Sequence, residues 1–131
     1  MAVTLSPVTR ALVDGKNFAT LATLNADGSP QTSVVWVTRD GDDLLFSTLS
    51  SRAKARNLVR DPRASVSIWS RANEEWYAEV RGTVTVAEDT GRAVTTALAH
   101  KYYGRDFPAD APGHVRVVLR LTPTKVTGSA V

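Results

Sequence analysis

Apolar and polar residues alternate with a period of two along much of this chain, and three shorter stretches follow helical spacing. The clearest alternation runs from Trp76 to Val86. Trp76, Ala78, Val80, Gly82, Val84 and Val86 fall on one face; Tyr77, Glu79, Arg81, Thr83 and Thr85 fall on the other. That is the pattern of a half-buried antiparallel strand. A glycine inside it, Gly82, points to a bend or to close approach by another backbone or a ligand. Five further strands are expected: Phe18 to Asn25, Gln31 to Arg39, Leu44 to Thr48, Ala64 to Ser70 and His114 to Thr122, the last closed by Pro123. Turn residues at 26–30 and 40–42 separate the first three, which predicts a meander. Apolar residues occupy both faces of Gln31–Arg39, so part of that strand should be covered twice.

Three helices fit between these strands. Ser6-Pro7 reads as a cap followed by proline in the first turn, with Val8, Ala11 and Leu12 at helical spacing and Gly15 as the stop. After Phe46, the hydroxyl-rich turn predicts a helix capped by Ser50 or Ser51 and ended by Asp61-Pro62. Ala55, Leu58 and Val59 share its apolar arc, Arg52, Arg56 and Arg60 share another, and Lys54 sits in the first turn. Asp89 or Thr90 caps a third helix through Tyr103, in which Val94, Leu98 and Tyr102 pack and Gly104 is the stop. Six strands with short helices, in 131 residues, predict one mostly-β domain over residues 1–131, folded as a small closed barrel.

Composition narrows the chemistry. Sixteen basic residues face 13 acidic ones, a net charge of +3, too little for a general nucleic-acid surface. The excess is local: Arg52, Lys54, Arg56, Arg60 and Arg63 stand against Asp61 alone. Cysteine is absent, which removes disulfides, thiolate nucleophiles and thiolate metal sites. With neither a signal-peptide core nor a run of about 20 apolar residues, the chain reads as a soluble cytoplasmic protein, with no membrane partner. His100 and His114 lie far apart, without metal-ligand spacing, and no nucleophile elbow or phosphate-binding loop occurs. If the protein is an enzyme, a cofactor should carry the reaction. For the stretch Phe46–Arg63 two readings stand side by side. It is either a solvated basic helix or a phosphate seat, in which the first-turn N–H groups, the hydroxyls, Arg52 and Lys54 converge.

The motifs FATLATLNADGSPQTSVVWV, LLFSTLSSRAKARNLVRDPRASVSIW and YAEVRGTVTV, followed in order by KYYG and RVVLRLTPTKV, resemble the pyridoxamine-phosphate-oxidase-like, flavin-binding split-barrel superfamily. The segment RAKARNLVRDPRAS is the most specific mark. Within the superfamily the chain is most similar to the short actinobacterial branch that uses the deazaflavin coenzyme F420. The resemblance covers about Phe18 to Val126. It implies a six-stranded antiparallel Greek-key split β-barrel, homodimeric, with the cofactor at the subunit interface and a small-molecule acceptor. Carried over residue by residue, Ser50, Arg52, Ala53 and Lys54 hold the cofactor phosphate, with Thr48 and Asn57 beside them. Gln31, Thr32, Ser33, Val34, Val35 and Trp36 run along the ring system. Arg56 and Arg60 are candidates for the oligoglutamate tail. Trp69, Trp76 and Lys101-Tyr102 are candidates to reach the site across the interface, and the 105–113 loop to form part of the acceptor wall. The implied reaction is hydride transfer between the deazaflavin and an activated double bond. Tyr102, Tyr103, His114 or solvent supplies the proton. An FMN enzyme of the same fold and a non-enzymatic F420 or haem carrier are the alternatives.

Overall fold

The computed structural model describes residues 2–131. Its centre is one antiparallel sheet built from β1 (Phe18–Leu24), β2 (Pro30–Val35), β3 (Thr38–Asp40), β4 (Asp43–Leu49), β5 (Arg63–Trp69), β6 (Tyr77–Glu88) and β7 (Arg116–Gly128). The hydrogen-bonded order is β2-β1-β5-β6-β7-β4-β3. Three helices decorate it: α1 (Pro7–Asp14), α2 (Ala53–Arg60) and α3 (Ala93–Tyr103), the last preceded by a 3₁₀ turn at Thr90–Arg92.

The sheet has seven strands, not the six expected, because the run Gln31–Arg39 is two strands. Trp36 and Val37 leave the ladder, and α3 holds them out. Lys101 Nζ donates to the Val37 carbonyl at 2.6 Å, while the Val37 amide donates to the Tyr102 hydroxyl at 3.3 Å. The expected meander is corrected with it: β2 pairs with β1 and β3 with β4, at opposite ends of the sheet order. Apolar residues on both faces of this run reflect service on two different edges. Val35 and Thr38 are three residues apart, a span of at most about 11 Å. Seven strands laid flat would separate their edges by roughly 29 Å. The sheet therefore curls until its two edges approach.

Side chains inside the curl form the core, led by Phe46, Leu21, Leu44, Ile68, Leu119 and Leu121, each fully buried. β6 alternates as its sequence requires, with Ala78, Val80, Gly82 and Val84 buried and Tyr77, Arg81, Thr83 and Thr85 exposed, but Trp76, expected on the buried face, precedes the strand and is exposed. Gly82 is a site of close backbone approach: a Cβ there would lie 2.0 Å from the Thr122 carbonyl oxygen. A bulge between Arg81 and Gly82 sets Gly82 opposite Pro123. That irregularity lets β7 run through Pro123, which lacks an N–H, instead of ending before it as the sequence suggested. Val117, Leu119 and Leu121 point inward, but Val115 precedes the strand and is exposed.

The helix ends follow their capping residues in part. Ser6 Oγ accepts from the Thr9 amide, with Pro7 in the first turn, and Gly15 ends α1. Asp89 accepts from the Val94 and Thr95 amides at the start of α3, and Gly104 ends it in the left-handed region. On α2, however, the N-cap is Arg52, not a serine, and no side chain caps it. Its inner face is Ala55, Asn57 and Leu58, whereas Val59 is 74% exposed. Asn57 takes the inward place because Nδ2 donates to Thr23 Oγ1 and Asn25 Oδ1 at the end of β1. No helix among the described residues is long and apolar enough to cross a membrane.

Candidate functional site

An open cleft of about 370 Å³ lies where β2 leaves the sheet, β4 ends, and α2 and α3 begin. One wall is aromatic. Trp36, freed from the ladder, stacks on Tyr102 at 5.1 Å with the rings 7° from parallel, and Tyr102 stacks in turn on Phe18. Tyr103 and Phe107 meet Trp36 edge-on, the geometry favoured by aromatic quadrupoles. Tyr102 is locked from behind: its hydroxyl donates to the Asn17 carbonyl. Lys101 is spanned between the Val13 and Val37 carbonyls, each at 2.6 Å. Burial holds the Lys101 ammonium down to about 8 and pushes the Tyr102 hydroxyl up.

The lining is also cationic: it includes Arg52, Lys54 and Arg116, and the Arg116 guanidinium lies 5.1 Å from the centre of the Phe107 ring. Arg116 is neutralised by Asp110, whose two oxygens accept from its Nε and Nη2 at 3.0–3.1 Å. Arg52 and Lys54 have no carboxylate partner among the described residues. Burial, and then the neighbouring Arg52 charge, lower the Lys54 pKa. Two like charges thus converge beside the uncapped first turn of α2, whose N–H groups point the same way. A planar ring on the aromatic side and an anion on the cationic side suit this cleft, within the size range of cofactor pockets.

Of the residues singled out in the sequence, Val34, Val35, Trp36, Thr48, Arg52 and Lys54 line the cleft. Ser50 and Ser51 lie in the turn just before α2, with the Ser50 amide donating to Val115 O, and Ala53 opens the helix. Gln31, Thr32 and Ser33 sit further along β2. There Gln31 Oε1 accepts from Thr23, and Ser33 Oγ is buried without a partner. Asn57 is turned away toward β1, and Arg60 is engaged by the Leu24 carbonyl and Asn57. Arg56 projects outward. Trp76 lies in a separate groove beside Pro7, Val8 and Leu12, and does not reach the cleft. Lys101 and Tyr102 turn into their own chain, behind Trp36.

The sequence did not single out Phe18, Leu49, Thr95, Leu98 and Arg116 of the lining; it offered Ser47 only as one of the turn hydroxyls, and the 105–113 loop without Phe107. An aromatic in a proline-rich loop was the available signal for Phe107. Arg116, at a polar position of an alternating strand, is indistinguishable in sequence from a surface arginine.

A family model described as pyridoxamine 5′-phosphate oxidase matches residues 5–130. Among solved structures, a protein named F420 reductase has a TM-score of 0.80 to this chain at 29% identity, over 90% of this chain and 94% of that one. A conserved hypothetical protein from Mycobacterium tuberculosis has a TM-score of 0.76 at 20% identity, over 95% of this chain and 84% of its own. A pyridoxamine 5′-phosphate oxidase-related, FMN-binding protein from Nostoc punctiforme has a TM-score of 0.68 at 18% identity, over 93% and 83%. The last two likenesses concern the fold alone.

Proposed function

The chain belongs to the pyridoxamine 5′-phosphate oxidase family, and on that premise we propose that it is an oxidoreductase that binds coenzyme F420 and transfers a hydride between it and a small organic acceptor. The observation that carries this reading is the pair Arg52 and Lys54, without a carboxylate partner among the described residues and lining one cleft together with Phe18, Trp36 and Phe107. The likeness at 29% identity to a protein named F420 reductase supports the choice of cofactor. Arg52, Lys54 and the first-turn amides of α2, with Ser50 and Thr48 beside them, would hold the phosphate. Val34, Val35 and Trp36 would flank the ring.

When bound, the deazaflavin supplies the hydride chemistry. The chain's part is to place the acceptor against the ring and to keep water out. Trp36 and Phe107, both in the lining, supply apolar aromatic surface for a conjugated acceptor such as a quinone, an enone or a tetrapyrrole. The cleft is open and Val34 at its rim is 69% exposed; β2 pairs only with β1. Both features favour a homodimer, in which a second copy covers the cofactor. Closure of the curled sheet as a Greek-key split barrel belongs to the same reading.

The same phosphate seat suits FMN, which is the second reading. Titration of the purified protein with each cofactor, followed by fluorescence, decides between them. F420 binding with turnover of reduced F420 by a panel of quinones and enones is expected. Tight FMN binding with no response to F420 refutes the choice of cofactor. F420 binding without turnover of any acceptor refutes the enzymatic reading in favour of a carrier.

A further inference from the structure

Three polar side chains run in a line from the interior to the cleft. Asp89, 6% exposed, accepts from the Val94 amide at 3.1 Å, the Thr95 amide at 2.9 Å and the Thr95 hydroxyl at 2.7 Å. Thr95 Oγ1 lies in turn 2.7 Å from Ser47 Oγ, and Ser47 and Thr95 both line the cleft. Every group meeting the Asp89 carboxylate in these contacts is a donor, so the carboxylate serves only as acceptor. The single hydroxyl proton of Thr95 is therefore committed to Asp89. The Thr95 oxygen can then only accept from Ser47, which commits the Ser47 proton as well. For the cleft, Ser47 has only lone pairs left.

We infer that Ser47 is a fixed hydrogen-bond acceptor in the cleft, oriented through Thr95 by Asp89, and that it selects a ligand carrying an N–H or O–H at this point. A free serine rotates its hydroxyl to suit either kind of partner and selects neither. Here the order Asp89, Thr95, Ser47 removes that choice, and a carbonyl or unprotonated ring nitrogen placed against Ser47 meets oxygen lone pairs. The cleft thus has opposite polarities at two places: donors only at Arg52 and Lys54, an acceptor only at Ser47. F420 and FMN both carry phosphate together with ring N–H and side-chain hydroxyl groups, so both fit this division. The inference rests on the cofactor reading of the cleft. Ser47 would contact the ligand, whereas Thr95 and Asp89 are positioning residues.

The test is to titrate F420 and FMN into the wild type and into Ser47→Ala, Thr95→Val and Thr95→Ser, with thermal melts to confirm folding. Ser47→Ala should weaken binding of the cofactor that the wild type takes by about 10- to 100-fold, through an unpaired ligand donor. Thr95→Val keeps the Ser47 oxygen, frees its proton and leaves Asp89 with its two backbone donors, so a loss of roughly 2- to 5-fold in affinity is expected from lost orientation. Thr95→Ser should behave as wild type. Equal losses in Ser47→Ala and Thr95→Val would mean that the Ser47–Thr95 bond merely clamps β4 to α3, and would overturn the inference. So would unchanged affinity in Ser47→Ala, which leaves the cofactor reading standing. Wild-type protein that binds neither cofactor overturns both.

Discussion

Replacing Lys101 by methionine tests how the aromatic wall is held. The Lys101 ammonium donates to the Val13 and Val37 carbonyls, each at 2.6 Å, and lies 5.0 Å from the centre of the Tyr102 ring. Methionine preserves most of the stem but leaves the Val13 carbonyl unpartnered and the Val37 carbonyl with only the Tyr102 hydroxyl at 3.4 Å. Each buried acceptor left unsatisfied costs about 1–3 kcal/mol. Relief of the desolvated charge offsets part of that, so Lys101→Met should destabilise the protein by about 2–4 kcal/mol at pH 7.5. The pH dependence is more diagnostic. Burial lowers the folded-state pKa from 10.5 to about 8, so between these values the unfolded chain binds a proton that the folded chain has lost. Unfolding free energy must therefore rise with pH across that window. The whole interval corresponds to at most about 3 kcal/mol, and solvent around the partly exposed stem reduces it to roughly 1–2 kcal/mol. The neutral amine still donates twice, so both carbonyls keep their partner. Burial also raises the Tyr102 pKa, which reverses the sign above about pH 10, so measurements should stop at pH 9.5. Lys54 acts in the same direction as Lys101 but is common to both proteins. Urea unfolding of wild type and variant at pH 7.5 and 9.5 should thus show the stability gap widening with pH. A gap that stays constant or narrows would refute the buried position of this ammonium.

Four further substitutions separate the cleft from the scaffold. Lys54→Ala should weaken cofactor binding by about 10- to 150-fold, the loss of one charge-assisted contact of about 1.5–3 kcal/mol, and Arg52→Ala should weaken it in the same direction. Both variants should melt near the wild-type temperature, and unchanged affinity in both would remove the start of α2 from the site. Leu58→Ala, at a residue 2% exposed, should cost about 2–5 kcal/mol in a denaturant titration, with cofactor affinity retained in the folded fraction. Gly82→Ala sets a methyl group 2.0 Å from the Thr122 carbonyl oxygen. It should destabilise by about 3 kcal/mol or more, because backbone must move to admit it, and a wild-type melting temperature would contradict the close β6–β7 approach.

What the sequence revealed depended on whether the cause was local. The β6 alternation, the Ser6-Pro7 start of α1 and the glycine ends of α1 and α3 are written in neighbouring residues, and all are present in the structure. The split of Gln31–Arg39 is not local. It is imposed by Lys101 and Tyr102, more than 60 positions away, and an unbroken apolar run cannot announce it. The same holds for α2, where spacing alone favoured Val59 over Asn57. Only the polar partners at Thr23 and Asn25 make an inward asparagine the better choice. In the cleft, the cationic side was readable because Arg52 and Lys54 lie in one segment. Of the aromatic side only Trp36 was legible, since Phe18 and Phe107 join it in the lining only after the sheet has curled.

The two-residue link at Trp36-Val37 also dictates an order of assembly. The hairpins β1–β2 and β3–β4 are complete once residue 49 has been made, and each can form from nearby chain. Yet β5, β6 and β7 lie between β1 and β4 in the sheet, so the second half of the polypeptide must insert between two hairpins already tethered to each other. A nascent chain ending near Arg60 would hold two hairpins facing an unfilled gap, with the inner edges of β1 and β4 unpaired. The ladders that fill it are long-range: β1 with β5, and β4 with β7. Folding to the finished sheet should accordingly wait for β7, and should be slow for a protein of this size.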